Sequence, residues 1–138
     1  MADLARNYGK GPVSLTDIAE AEGLSLAYLE QLIAALRRAK LVVATRGVHG
    51  GYQLAREPRS ITVGDIVRVL EGPLAPVWCA SEEASEASCE RQSDCVTREV
   101  WVKIRDSIAR VLDSTSLDDM CRSSGKEPSD ILSAEEES

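Results

Sequence analysis

A mainly α-helical fold carrying one small β-hairpin is predicted by three features of this 138-residue sequence. Apolar residues recur at helical spacing over several stretches, two brief apolar runs flank a glycine-rich turn, and helix-start patterns stand at the heads of the helical stretches. The length suits one core plus an extension rather than two full domains. Phe is absent and aromatics make up 4% of residues. Leu, Ile, Val and Ala are therefore expected to build the core, with Trp78, Trp101 and the three Tyr as isolated large anchors.

Residues 2–8, with Leu4, Ala5 and Tyr8, read as the end of a helix that Gly9 and Gly11 terminate. Ser14 to Asp17 has the S-x-x-D form of a capping box, and Leu15, Ile18 and Ala19 continue as a short helix until Gly23 offers a left-handed stop. Ser25 is an N-cap for a second helix, whose Leu26, Leu29, Leu32, Ile33 and Leu36 share helical spacing, and Lys40 ends it. Two helices joined by a short turn form a helix-turn-helix outline. Leu41 to Val43 and Tyr52 to Leu54 read as strands around the basic, glycine-rich turn 46–51, and a hairpin directly after a helix-turn-helix is the layout of a winged-helix domain. Thr62 to Asp65 repeats the cap pattern ahead of a helix that Gly72-Pro73 stops.

Residues 79–95 are rich in Ser, Glu, Ala and Cys without apolar periodicity, so this loop must take its order from something else. From Val96 to Leu112, Val100, Trp101, Ile104, Ile108 and Val111 return at helical spacing in a stripe wide for a lone surface helix. The expected organisation is a winged helix-turn-helix domain over 1–72, a cysteine-containing loop over 73–95, a long helix with a following turn over 96–120, and a disordered acidic tail over 121–138. No apolar stretch reaches the roughly 18 residues that cross a bilayer, and no secretory signal pattern opens the sequence. A cytoplasmic chain with no membrane partner is expected.

The net charge of −7 opposes a nucleic-acid partner on average, yet it is unevenly spread. Residues 1–72 hold 9 basic against 8 acidic side chains, and 73–138 hold 7 against 15. Between 37 and 59 stand Arg37, Arg38, Lys40, Arg46, Arg56 and Arg59 against Glu57 alone. This local basic patch suits double-stranded DNA. In the second helix, Ser25, Ala27, Tyr28 and Gln31 occupy the face opposite the leucines. The Gln31 amide suits adenine, while Ser25 and Tyr28 suit phosphate or sugar. Glu30 repels the backbone unless it accepts from a cytosine amino group. Arg46 beside Gly47 suits a narrow minor groove. Each residue also has a plain structural reading: Ser25 is a cap in any case, Arg37 and Arg38 are normal on a solvated face, and His49 is an exposed loop imidazole.

A reducing compartment disfavours structural disulfides among the four Cys. Cys79, Cys89 and Cys95 share one loop ahead of a helix start, where peptide dipoles favour thiolates. Three soft thiolates suit an iron-sulphur cluster, while the spacing is wider than the paired C-x2-C of common zinc sites. Zinc, a thiol switch and inert thiols remain the alternatives, and Cys121 stands apart. Catalysis is not expected, because His49 is the only imidazole and has no nucleophile-acid constellation around it.

From Gly11 to about Asp119 the chain resembles the Rrf-two family of winged-helix transcription regulators, of the IscR and NsrR type. The strings carrying the resemblance run from Val13 to Ala19, Ser25 to Gln31, Arg46 to Tyr52, Ile61 to Asp65, Glu71 to Pro73 and Cys95 to Trp101. The resemblance implies a homodimer on a DNA operator. It places Ser25, Ala27, Glu30 and Gln31 at the major groove, Arg46 and Gly47 in the minor groove, and a 2Fe-2S or 4Fe-4S cluster on Cys79, Cys89 and Cys95. It makes the 96–112 helix the dimer crossing and implies sensing of redox, nitric oxide or iron-sulphur status. Two departures qualify it. Arg98 stands where the IscR type has a histidine ligand three residues after its last cysteine, and a guanidinium is a poor ligand. The fourth ligand is then open among Glu99, Asp94, Glu90, Cys121 or a partner residue. Family members also normally begin about a dozen residues earlier, so a start upstream of Met1 or a shortened form is expected. A metal-free regulator of the same fold, acting by thiol switch or partner-protein binding, and a small iron-sulphur redox protein are the alternatives.

Overall fold

The computed structural model describes residues 1–83 and 94–123. In chain order it contains α1 (Ala2–Arg6), α2 (Leu15–Glu22), α3 (Leu26–Arg38), β1 (Val42–Thr45), β2 (Gly51–Leu54), a 3-10 turn at Pro58–Ser60, α4 (Val63–Glu71), a second 3-10 turn at Trp78–Ala80, α5 (Arg98–Ser114) and α6 (Leu117–Ser123). The mainly helical fold with one small antiparallel hairpin is therefore as the sequence predicts. Two compact units divide the described residues: 1–61 with 116–123, and 62–83 with 94–115. The units divide after Ile61, where α4 packs with α5 while α6 packs with α1 and the first 3-10 turn.

In the first unit, β1 and β2 pair antiparallel from Val42 opposite Leu54 to Thr45 opposite Gly51. Val13 adds a short third partner, exchanging two 2.8 Å hydrogen bonds with Tyr52. The core is aliphatic: Leu4, Ile18, Ile33, Leu36, Leu41, Val42, Leu54, Ile61 and Leu117 are all buried. Burying each such side chain is worth about 1.5–3 kcal/mol, and they come from all the helices and both strands of the unit. The expected aromatic anchors do not hold for Trp78, which is 66% exposed, nor for Tyr8, Tyr28 and Trp101, which stand on the surface.

Local helix signals fare unevenly. Gly23 caps α2 with φ +64, as predicted. Ser14 is the N-cap of α2 but makes no side-chain cap bond. The pairing of Val13 with Tyr52 sets the entry of the chain into α2 instead. Helix α1 stops at Arg6, before the glycines, with the Asn7 side-chain amide donating to the Asp3 carbonyl at 2.8 Å. At the end of α3, Lys40 takes φ +61 and Leu41 N–H returns to the Leu36 carbonyl at 3.0 Å. Residues 121–123 are helical rather than part of a tail, and 124–138 lie outside the described residues. The sequence did carry a signal for α6. Ser116-Leu-Asp-Asp119 is an S-x-x-D box, and both its bonds form, at 3.0 and 3.1 Å.

In the second unit, Thr62 and Asp65 complete a capping box with two 3.0 Å bonds and start α4. Helix α5 begins at Arg98, two residues later than the apolar run suggests. Val102, Ala109 and Leu112 are half-buried. Trp101, Ile104, Ile108 and Val111 form a second, exposed stripe.

Candidate functional site

Helix α3 starts at a working cap. The Ser25 hydroxyl oxygen accepts from the Tyr28 backbone N–H at 3.1 Å, which leaves the Ser25 O–H free to donate outward. Ser25, Ala27, Tyr28, Glu30 and Gln31 are all exposed, whereas Ile33 and Leu36 are buried. The first two turns of α3 thus present these side chains to solvent, and its later turns anchor the helix. Leu26 departs from expectation, being 39% exposed rather than part of the core, because the first turn of α3 stands clear of its neighbours.

The turn between β1 and β2 carries Arg46, Gly47, Val48 and His49 outward, with Val48 97% exposed. Gly50 N–H donates to the Gly47 carbonyl at 3.0 Å, closing the turn. Gly47 has φ +117, a conformation that side chains disfavour, so the residue next to Arg46 is glycine for a backbone reason. Arg46 also lines a groove of about 400 Å³ together with Arg37, Thr45, Gly50 and Tyr52. Arg37 belongs to the last turn of α3. Neither arginine enters an ion pair among the described residues. Two uncompensated guanidinium groups on one groove make a local anion-attracting surface on an acidic chain. The sequence alone counts Arg37 in the basic patch of 37–59 and also allows it a plain place on a solvated face. Its sharing of a groove with Arg46 depends on the hairpin folding back, which spacing along the chain does not reveal.

Among the described cysteines, Cys79 and Cys95 lie in the second unit, while Cys121 lies in the first, faces α1 and contacts the Ala2 carbonyl through sulphur at 3.8 Å. Cys79 occupies the 3-10 turn and is half-buried. Cys95 is half-buried three residues before Arg98 opens α5, with Sγ 3.2 Å from the Thr97 hydroxyl. Cys89 lies outside the described residues, and among the described ones no three His, Cys, Asp or Glu side chains gather as a metal-holding set. Of the three loop cysteines, Cys79 and Cys95 are half-buried soft donors outside any disulfide, a chemistry that fits an iron-sulphur group.

A helix-turn-helix with a solvent-facing first turn, flanked by a basic glycine-rich wing, defines a winged-helix transcriptional regulator. The chain belongs to the Rrf2 family, the Rrf-two regulators: the family profile, described as iron-dependent transcriptional regulator, matches residues 1–123. The regulator CymR of Bacillus subtilis is 48% identical over 120 residues, covering 87% of this chain and 80% of that protein. Its solved structure, described as the global cysteine regulator, superposes with a TM-score of 0.72 over 88% of this chain and 86% of the other. The structure of T. potens IscR is 50% identical with a TM-score of 0.71, over 89% of this chain and 78% of that one. IscR of Aliivibrio salmonicida is 37% identical, covering 87% of this chain and 69% of the relative. These relatives are transcriptional regulators, not enzymes. No helix among the described residues is long and apolar enough to cross a membrane.

Proposed function

We propose that this chain is a homodimeric regulator that grips a double-stranded DNA operator with α3 and the wing, and that chemistry at Cys79, Cys89 and Cys95 governs the grip. The observation that carries the reading is the exposed set Ser25, Ala27, Tyr28, Glu30 and Gln31 in the same unit as a wing bearing Arg46 and Gly47. Ser25 and Tyr28 hold phosphate or sugar, Gln31 reads adenine, and Glu30 selects cytosine by accepting from its amino group. Arg46 enters the minor groove, with Gly47 permitting close approach. The exposed stripe of Trp101, Ile104, Ile108 and Val111 is an apolar surface that a second copy would cover, and this supports 96–120 as the dimerisation segment. Two α3 helices then address half-sites roughly 10 base pairs apart.

Residues 73–95 are assigned as the sensing segment. Cys79, Cys89 and Cys95 would hold an iron-sulphur group, which when bound supplies one-electron redox chemistry and sensitivity to oxidants or nitric oxide. The chain's own contribution is to present half-buried thiols beside α5, whose first turn adds the positive end of a helix dipole. A second reading, a metal-free regulator acting by thiol chemistry or partner binding, is favoured by Arg98 in the position of the histidine ligand and by similarity to a cysteine regulator.

Anaerobic purification with absorption spectroscopy, iron and sulphide analysis and titration of promoter fragments tests both readings. The expected result is a coloured dimer with salt-dependent DNA affinity whose chromophore is lost in Cys89→Ala. A spectrum unchanged by that substitution rejects the ligand assignment, and a colourless dimer that still binds DNA selects the second reading. No affinity for any promoter fragment, loaded or stripped, ends the proposal.

A further inference from the structure

Arg68 of α4 is gripped by two carboxylates from separate parts of the second unit. Its Nε and Nη2 donate to the two oxygens of Glu82 at 3.1 and 2.7 Å. Its Nη1 and Nη2 donate to the two oxygens of Asp113 in α5 at 2.5 and 3.0 Å. Glu82 closes a loop as well: its Oε2 accepts from the Leu74 backbone N–H at 2.9 Å, and its own N–H donates to the Leu74 carbonyl at 3.0 Å. Both ends of the segment 74–82 are thereby tied to one guanidinium. Cys79 lies inside this loop, next to Ala80, which is completely buried. From the α5 side, Arg105 donates to the Ala80 and Ser81 carbonyls at 3.5 and 3.3 Å.

The junction has a steric requirement. A Cβ on Gly64 would collide with Asp113 Oδ1 and Arg68 Nη1, so the absence of a side chain there gives the pair its room. It also has an electrostatic one. Without Arg68, Glu82 and Asp113 are like charges facing a common point, so loss of the cation both breaks four hydrogen bonds and leaves the carboxylates repelling one another. Only a planar fork meets two carboxylates this way, and the single ammonium of lysine reproduces part of it.

We infer that Arg68 is the positioning residue for Cys79: its paired bonds to Glu82 and Asp113 hold the Cys79 loop closed against α4 and α5 and so set how accessible the thiol is. Its regulatory meaning rests on residues 73–95 being the sensing segment; the junction itself does not. The occupancy of this junction then links any change at Cys79 to the pairing of α4 with α5.

The test is the rate at which N-ethylmaleimide modifies each thiol in the reduced, chelator-treated 138-residue chain, read by peptide mass spectrometry. In Arg68→Met, Cys79 is expected to react about tenfold faster, as for a segment whose local opening has become easier, while Cys121 in the other unit keeps its rate. Arg68→Lys should fall between Met and wild type, and Glu82→Gln, which spares the Arg68–Asp113 pair, should also accelerate Cys79. Should Arg68→Met fail to fold, Glu82→Gln decides alone. An unchanged Cys79 rate overturns the inference, and so does equal acceleration at Cys121, which would mean general loosening. Operator binding measured on the same samples separates the two ideas. A Cys79 effect in a chain without DNA affinity sinks the regulator reading and leaves Arg68 in its role; DNA affinity without the effect sinks only the role of Arg68.

Discussion

The Ser25 hydroxyl accepts the Tyr28 backbone N–H at 3.1 Å, and both residues stand exposed at the start of α3. One side chain thus caps the helix and offers a donor to whatever α3 meets. The two roles separate by substitution. Ser25→Ala should lower stability by about 1 kcal/mol, the usual value of an N-cap, seen as a lower thermal midpoint. Ser25→Asp keeps a capping acceptor but places a charge against phosphate. It should retain the midpoint and lose operator affinity in a fluorescence titration; unchanged affinity would remove Ser25 from the interface.

Arg37 and Arg46 line one groove, so each should contribute to the salt dependence of DNA binding. Replacing either by Ala should weaken binding and reduce the slope of log affinity against log salt by about 1 for each phosphate no longer neutralised. The test is a titration series at several salt concentrations. A slope identical to wild type for Arg46→Ala would count against the wing's place in the minor groove.

Gly64→Ala should destabilise the second unit by about 1–3 kcal/mol, the range for inserting atoms where there is no room. Shortening the obstacle should restore part of the loss, so Gly64→Ala with Asp113→Ala should be less destabilised than the sum of the single changes. Chemical denaturation checks this, and strict additivity would remove the steric explanation.

Acid should weaken the same unit. Hydrogen bonds from Arg68, and for Glu82 also from the Leu74 N–H, hold Glu82 and Asp113 below the usual carboxylate range. A carboxylate depressed in the folded state stabilises fully above its unfolded pKa of about 4 and loses that contribution as pH falls through the folded value. Stability should therefore be flat near neutrality and fall below about pH 4, with a smaller fall in Glu82→Gln. Because these side chains are partly exposed, the effect should be modest and should shrink in high salt. An acid response identical in Glu82→Gln and wild type would assign the loss to other groups.

The helices, the hairpin and the polar first turn of α3 were legible in the sequence because each is a local matter of apolar spacing, turn residues and caps. Ser25, Thr62 with Asp65, and Gly23 did what their neighbours along the chain dictated. Ser14 did not, because the residue before it, Val13, is fixed by a backbone partner far along the chain, Tyr52. Only the tertiary structure decided that α6 returns to pack on α1, that Arg37 shares a groove with Arg46, and that Arg68 meets Glu82 and Asp113. Those pairings join residues 9, 14 and 45 positions apart, and no periodicity encodes which charge will find which. A charged side chain reads from the sequence as a solvated one until folding sets its partner beside it.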